Sequence, residues 1–216
     1  MSEARFAYPV CLNVAGQRAL VVGGGDVALR KARALAGAGA SVRVVAPALA
    51  AAFRSDGRFD LAEETYGKRH LEGCLLAVAA TDDEEVNARV AADAREAGAL
   101  VNVVDRPALC DFIVPAQIER GLLRIAITTG GAAPALARRI RERLEKEFGP
   151  EYETYLAVMK EVREELKARN LSPQVRRRLF ERLAEDDILA AAREGADKVR
   201  IVIRAAILKT LGKGPA

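Results

Sequence analysis

Arg18-Ala-Leu-Val-Val-Gly-Gly-Gly-Asp-Val-Ala28 decides the fold class of this 216-residue chain. The apolar run from Ala19 to Val22 reads as a short buried strand. Gly23, Gly24 and Gly25 close it, and residues 26–38 then read as a helix that Gly39 stops in a left-handed conformation. Gly23-Gly24-Gly25-Asp26-Val27-Ala28 fits G-x-G-x-x-A between that strand and that helix. Glycines at these places permit a tight turn and close backbone approach to a pyrophosphate, and a small residue at the last place lets helix and strand pack. The free N–H groups and positive potential of the helix N-terminus suit the phosphates. A plain glycine turn between strand and helix is the weaker alternative, because the strand–turn–helix context is complete.

Working outward, Ser41–Val45 is a second strand ending before Pro47, and a weaker one is expected within 59–66. Cys74–Ala80 is a further buried strand, followed by Thr81-Asp82-Asp83-Glu84-Glu85, acids that suit the positive end of a helix over 84–97. Gly98 ends that helix, and Leu100–Val104 is the next strand, with Asp105 at its carboxyl end. Strands alternating with helices imply parallel pairing, so the fold class is α/β with an N-terminal Rossmann-type parallel sheet.

The pattern changes near residue 111. Phe112–Ile118 and Leu122–Ile127 read as a hairpin turning at Arg120-Gly121. Pro134 opens a helix whose Leu136, Ile140, Leu144 and Phe148 form one apolar stripe, broken by Gly149-Pro150. Tyr152, Tyr155, Leu156, Met159, Val162 and Leu166 make a second stripe, Ser172-Pro173 opens a third helix, and two more follow residue 186. Three domains are expected: 1–113 for the dinucleotide, 114–148 as hairpin plus helix, and 149–216 as an all-helical C-terminal domain.

Half of the residues are hydrophobic, enough for a sizeable core. The apolar runs are too short to cross a bilayer, and Met1-Ser2-Glu3-Ala4-Arg5 lacks the apolar stretch of a signal peptide. Three scattered cysteines form no C-x-x-C pair, which argues against disulfides and thiolate metal sites and for a reducing compartment. The expectation is a cytoplasmic protein with no membrane partner and no protein-held metal. The net charge of +4 is uneven: residues 1–113 carry 13 Lys/Arg against 15 Asp/Glu, and the rest carry 21 against 15. A basic second half suits a polyanionic small molecule. Nucleic acid fits less well, because the bases alternate with acids and aromatic residues for stacking are few.

In open α/β sheets, ligands bind beyond the carboxyl ends of the strands. Thr81-Asp82-Asp83, Asn102 with Asp105, and Thr128-Thr129-Gly130-Gly131 are the polar clusters there. Asp105 follows an apolar strand, which predicts partial desolvation and suits a general base; the plainer role is capping the turn at Arg106-Pro107. Thr81 and Asn102 are assigned to the dinucleotide, although helix capping is the simpler reading of Thr81–Asp83. Thr128, Thr129 and Gly130, with Arg138, Arg139 and Arg141 beyond, read as a second helix-start anion site or as a basic loop facing solvent. Ala46-Pro47-Ala48 stands where an acid would grip the ribose, so this site does not separate NAD from NADP. Backbone groups of Pro47 and Ala48 are expected to hold the adenosine end. The single histidine, His70, lies in a polar connection and is expected to be solvated and without a role.

Tyr8-Pro9-Val10, Val21–Lys31, Ala79–Asp83, Val86-Asn87, Val101–Asp105, Phe112–Pro115, Thr128–Gly131 and Pro134–Arg138 follow in order. That series resembles the precorrin-2 dehydrogenases, including the dehydrogenase module of sirohaem synthase, over roughly residues 8–145. The resemblance implies a homodimer, with 114–145 as its dimerisation segment. It also implies oxidation of precorrin-2, a tetrapyrrole, to sirohydrochlorin, with hydride transfer to NAD, NADP not being excluded. Asp105 matches the family's catalytic aspartate, Asp26 and Val27 match cofactor-contacting positions, and Thr129 falls where some members carry a substrate-side serine that can be phosphorylated. Some members also insert iron, so a bifunctional dehydrogenase and ferrochelatase is the alternative enzyme. No methyltransferase module is expected within 216 residues. A non-catalytic NAD(H) sensor, in which Asp105 would be dispensable, is the reading from another class.

Overall fold

The structure, a computed structural model, describes Phe6 and residues 8–212. It divides into two compact units between Val114 and Pro115. In the first, the strands are β1 (Arg18–Val22), β2 (Ser41–Val45), β3 (Phe59–Ala62), β4 (Cys74–Ala79) and β5 (Leu100–Val103). They pair in parallel in the order β3-β2-β1-β4-β5. The helices are α1 (Asp26–Gly37), α2 (Ala51–Asp56) and α3 (Glu84–Glu96). Side chains alternate across a strand, so β1 serves two cores. Val21 packs with Ala28, Leu29, Ala32 and Phe53 of α1 and α2. Leu20 and Val22 pack with Val90, Ala91 and Ala94 of α3. Covering both faces explains why β1 and β4 are near-continuous apolar runs.

The strand order reverses direction beside β1, between β2 and β4, and the glycine turn lies at that switch point. Gly39 and Gly98, which follow α1 and α3, are left-handed with φ of +90° and +75°, as the helix-stop reading requires. β3 is shorter than the 59–66 window. Helix α2 had no signal in the sequence: six residues are too few for an apolar period, and its entry residue Ala50 makes no side-chain cap.

In the second unit, β6 (Ala116–Arg120) and β7 (Leu123–Ile127) form the antiparallel hairpin. Arg120 pairs with Leu123, so the connecting residues are Gly121-Leu122, one place beyond the expected turn; Gly121 supplies the positive φ of +56°. α4 (Pro134–Glu147) follows, then α5 (Glu151–Lys167), α6 (Pro173–Leu183), α7 (Asp186–Ala192) and α8 (Ala196–Gly212). The stripe on α4 is only partly covered: Leu136 is 50% exposed, and the one buried residue of the helix, Ala137, lies outside the stripe. The last four helices bury Val158, Val162, Leu166, Leu179, Leu183, Ile188, Val199 and Ile203 in one core. Ser172 caps α6 by accepting from the Val175 N–H at 3.4 Å. Among the described residues no helix is long and apolar enough to cross a membrane.

Candidate functional site

A cavity of about 1160 Å³ opens at the carboxyl ends of β1, β2, β4 and β5. Gly23, Gly24, Gly25, Asp26, Val27, Pro47, Ala48, Thr81 and Asp105 all line it. At its floor the β1–α1 turn is sterically committed to glycine. A Cβ on Gly23, whose φ is +137°, would lie 2.3 Å from the Ala80 carbonyl oxygen, and one on Gly24 would lie 1.9 Å from that of Ala48. Gly25 differs: a Cβ there would meet no described heavy atom within 4 Å, so open space lies over it. Gly25 is also the N-cap of α1 and offers no side chain to the first N–H groups of that helix. N–H groups without a side-chain cap among the described residues, the positive end of a helix and open space together fit a dinucleotide pyrophosphate.

The second wall is the turn after β4. Asn87, buried on α3, donates through Nδ2 to the Thr81 carbonyl at 2.8 Å, and its Oδ1 lies 2.9 Å from the Thr81 hydroxyl. Asp83 caps α3 by accepting from Glu85 N–H at 2.8 Å and Val86 N–H at 3.1 Å. Capping and cavity lining therefore coexist in Thr81–Asp83. Asn87, Tyr66 and Arg89 also line the cavity and were not singled out as site residues. Asn87 had a faint signal, a polar residue one turn into a helix on its buried side. Tyr66 and Arg89 had none, since tertiary folding alone brings them there. The Arg89 guanidinium sits 5.5 Å from the Tyr66 ring centroid, and the Tyr66 hydroxyl donates to Asp93 at 2.9 Å. Burial, reinforced by that hydrogen bond, pushes the Tyr66 phenol upward.

Asp105 occupies the third side. It has φ of +57°, a left-handed conformation rare outside glycine and most tolerable for Asn and Asp. It is exposed rather than desolvated. Nor does it cap the next turn: the N-cap of Pro107–Leu109 is Arg106, without a side-chain cap. Among the described residues the Asp105 carboxylate makes no hydrogen bond, so it is free to meet a ligand. Arg106 beside it is ion-paired with Glu84. Lys31 on α1 lies within electrostatic reach; its amine is held below the usual range by burial and then by Arg30, while Cys110 and Asp105 pull the other way.

Asn102 departs from its expected place. It does not line the cavity; it is buried and donates to the Phe112 carbonyl at 3.0 Å. On β5 its side chain alternates to the face away from Val101 and Val103. In the second unit Thr128, Thr129 and Gly130 form the turn before α4: the Thr128 hydroxyl accepts from Gly130 N–H at 3.1 Å and that of Thr129 from Ala133 N–H at 3.0 Å. Arg138 is exposed on α4. His70 is not solvated as expected but 4% exposed, accepting at Nδ1 from Gly67 N–H and pairing at Nε2 with Glu64 at 2.9 Å. Among the described residues no group of three or more His, Cys, Asp or Glu could hold a metal ion.

Comparison with known proteins places the fold among relatives. Residues 10–116 match a family profile described as putative NAD(P)-binding, and residues 120–147 match one described as sirohaem biosynthesis protein, central. Sirohaem synthase of Azotobacter vinelandii is 46% identical over 173 residues, 79% of this chain and 37% of its own length. That of Chromobacterium violaceum is 42% identical over 212 residues, 97% of this chain and 44% of its own. This chain thus spans less than half the length of these relatives. The solved structure of SirC, precorrin-2 dehydrogenase, superposes with a TM-score of 0.75 at 30% identity, over 92% of this chain and 98% of that one. The first unit is therefore of an NAD(P)-binding domain type, and the chain belongs to the family of the precorrin-2 dehydrogenase SirC and the sirohaem synthases.

Proposed function

We propose that this chain is an NAD-dependent dehydrogenase that oxidises precorrin-2 to sirohydrochlorin. The observation that carries the reading is one cavity lined both by the glycine turn and by Asp105, whose carboxylate makes no hydrogen bond among the described residues. When bound, the dinucleotide supplies a hydride acceptor. Gly23, Gly24 and Gly25, with Asp26 and Val27 at the first turn of α1, hold its pyrophosphate, and backbone groups of Pro47 and Ala48 hold the adenosine end. Thr81, fixed by Asn87, borders the bound dinucleotide. Loss of a hydride leaves a proton to remove from the macrocycle. Asp105 takes it, and its exposure lets the proton pass on to water.

Thr128, Thr129, Gly130 and Arg138 are assigned to the carboxylates of the substrate. The chain acts as a homodimer joined through 114–148, with 1–113 for the cofactor and 149–216 as the helical domain, and it works in the cytoplasm. The test is anaerobic turnover of enzymatically generated precorrin-2 with NAD or NADP, following reduced-nicotinamide absorbance. Wild type turns over, and Asp105→Ala loses about 10²- to 10⁴-fold in kcat, the usual worth of a general base. Turnover unchanged by the substitution sinks the role of Asp105. Binding of NAD(H) without turnover in wild type sinks the dehydrogenase.

A further inference from the structure

Asp105 is the third residue of the turn Val103–Arg106, which the Arg106 N–H closes onto the Val103 carbonyl at 3.3 Å, and residues outside the cavity lining tie that turn to the sheet. Its loop leaves β5 at Val103 and returns at Cys110, a buried thiol. The Cys110 sulfur accepts from the Val103 N–H at 3.2 Å, and its S–H faces the Val103 carbonyl at 3.2 Å and the Arg106 carbonyl at 3.4 Å. A single side chain thereby meets both backbone groups of the last residue of β5, as the backbone of a further strand would. Asn102 steadies the sulfur, with Nδ2 at 3.6 Å, and ties on to Phe112. Asp111 repeats the device two residues back: its own N–H donates to the Val101 carbonyl at 2.8 Å, and its carboxylate accepts from Val101 N–H at 3.1 Å. On the other side, Val104 N–H donates to the Ala79 carbonyl of β4 at 2.9 Å. Asp105 is the next residue. Both feet of its loop are pinned, and the sulfur bridges Val103 and Arg106 beside the backbone bond between them.

We infer that Cys110 is a positioning residue for Asp105: its thiol closes the 103–110 loop so that the carboxylate stays aimed at the cavity. This rests on Asp105 being the proton acceptor proposed above. Serine keeps a donor and an acceptor at this place, whereas valine fills the volume and offers neither.

The test combines Cys110→Val, Cys110→Ser, Asp105→Asn and the double variant Cys110→Val/Asp105→Asn in the anaerobic turnover assay, with NAD(H) affinity measured alongside. Cys110→Val lowers kcat roughly tenfold to a hundredfold, the effect of misplacing a reacting group by up to an ångström, while NAD(H) affinity holds. Cys110→Ser recovers most of that loss. In the Asp105→Asn background, Cys110→Val costs nothing further, because residues that act through one another are not additive. Equal losses in both backgrounds, or an unchanged kcat in Cys110→Val, overturn the inference. If Cys110→Val does not fold, Cys110→Ala, which leaves a void instead of bulk, carries the same comparison. A wild type without turnover overturns the dehydrogenase reading itself, and that is read before any variant.

Discussion

Gly24 sits so close beneath the Ala48 carbonyl that a side chain cannot enter without moving the β2–α2 connection. The Ala50 N–H also donates to the Gly24 carbonyl at 3.0 Å, so turn and connection are locked together. Gly24→Ala is expected to destabilise the protein by about 1–3 kcal/mol, the usual cost of overpacking, and to abolish NAD(P) binding at that wall. Thermal denaturation and titration with NAD(H) check both; normal affinity in a stably folded variant would remove Gly24 from the site. The glycine turn was legible in the sequence because its steric demands are local. Asn102 was misplaced by the same local reasoning: proximity to a strand end does not say which face of the sheet a side chain takes.

Between elements, Asp56 at the end of α2 joins Arg33 of α1 and Arg58 ahead of β3, with a side chain only 4% exposed. Hydrogen bonds from Arg58 and then Arg33 hold its carboxyl down to about 2. A folded value below the unfolded one means that the native state is favoured wherever the carboxylate is ionised. The contribution is therefore complete above pH 4 and lost as pH falls toward 2. Wild type should melt higher than Asp56→Asn at pH 6, and the gap should close between about pH 4 and 2 as the unfolded and folded carboxyls protonate in turn. A gap independent of pH would mean that the amide is missed for its packing and not its charge. Strands and long helices were legible from their periods. Helix α2 was not, for it is held by packing of Phe53 and by these ion pairs rather than by its own pattern.

Across the whole molecule, charge is divided along the chain, with 21 Lys/Arg against 15 Asp/Glu beyond residue 113. Attraction of a polycarboxylate by such a surface weakens as the Debye length falls from about 30 Å at 0.01 M to about 8 Å at 0.15 M ionic strength. The KM for precorrin-2 should therefore rise with added salt in steady-state assays, with kcat unchanged. A flat KM would show that the excess bases serve solvated helix faces, as the ion pairs Arg177–Glu181 and Arg169–Glu165 do.

The sequence by itself determined the α/β class, the glycine turn between β1 and α1 and the helical second half, because apolar period, glycine placement and capping are properties of neighbouring residues. It also marked Asp105, which follows its strand directly in the chain. The left-handed backbone of Asp105, its exposure and the bonds of the Cys110 sulfur to Val103 and Arg106 on either side of it were decided only in three dimensions. So was the burial of His70, and so was the entry of Tyr66 and Arg89 into the cavity wall. Each depends on hydrogen bonds or packing between segments far apart in the chain or folded back on one another, and no local pattern encodes such a meeting.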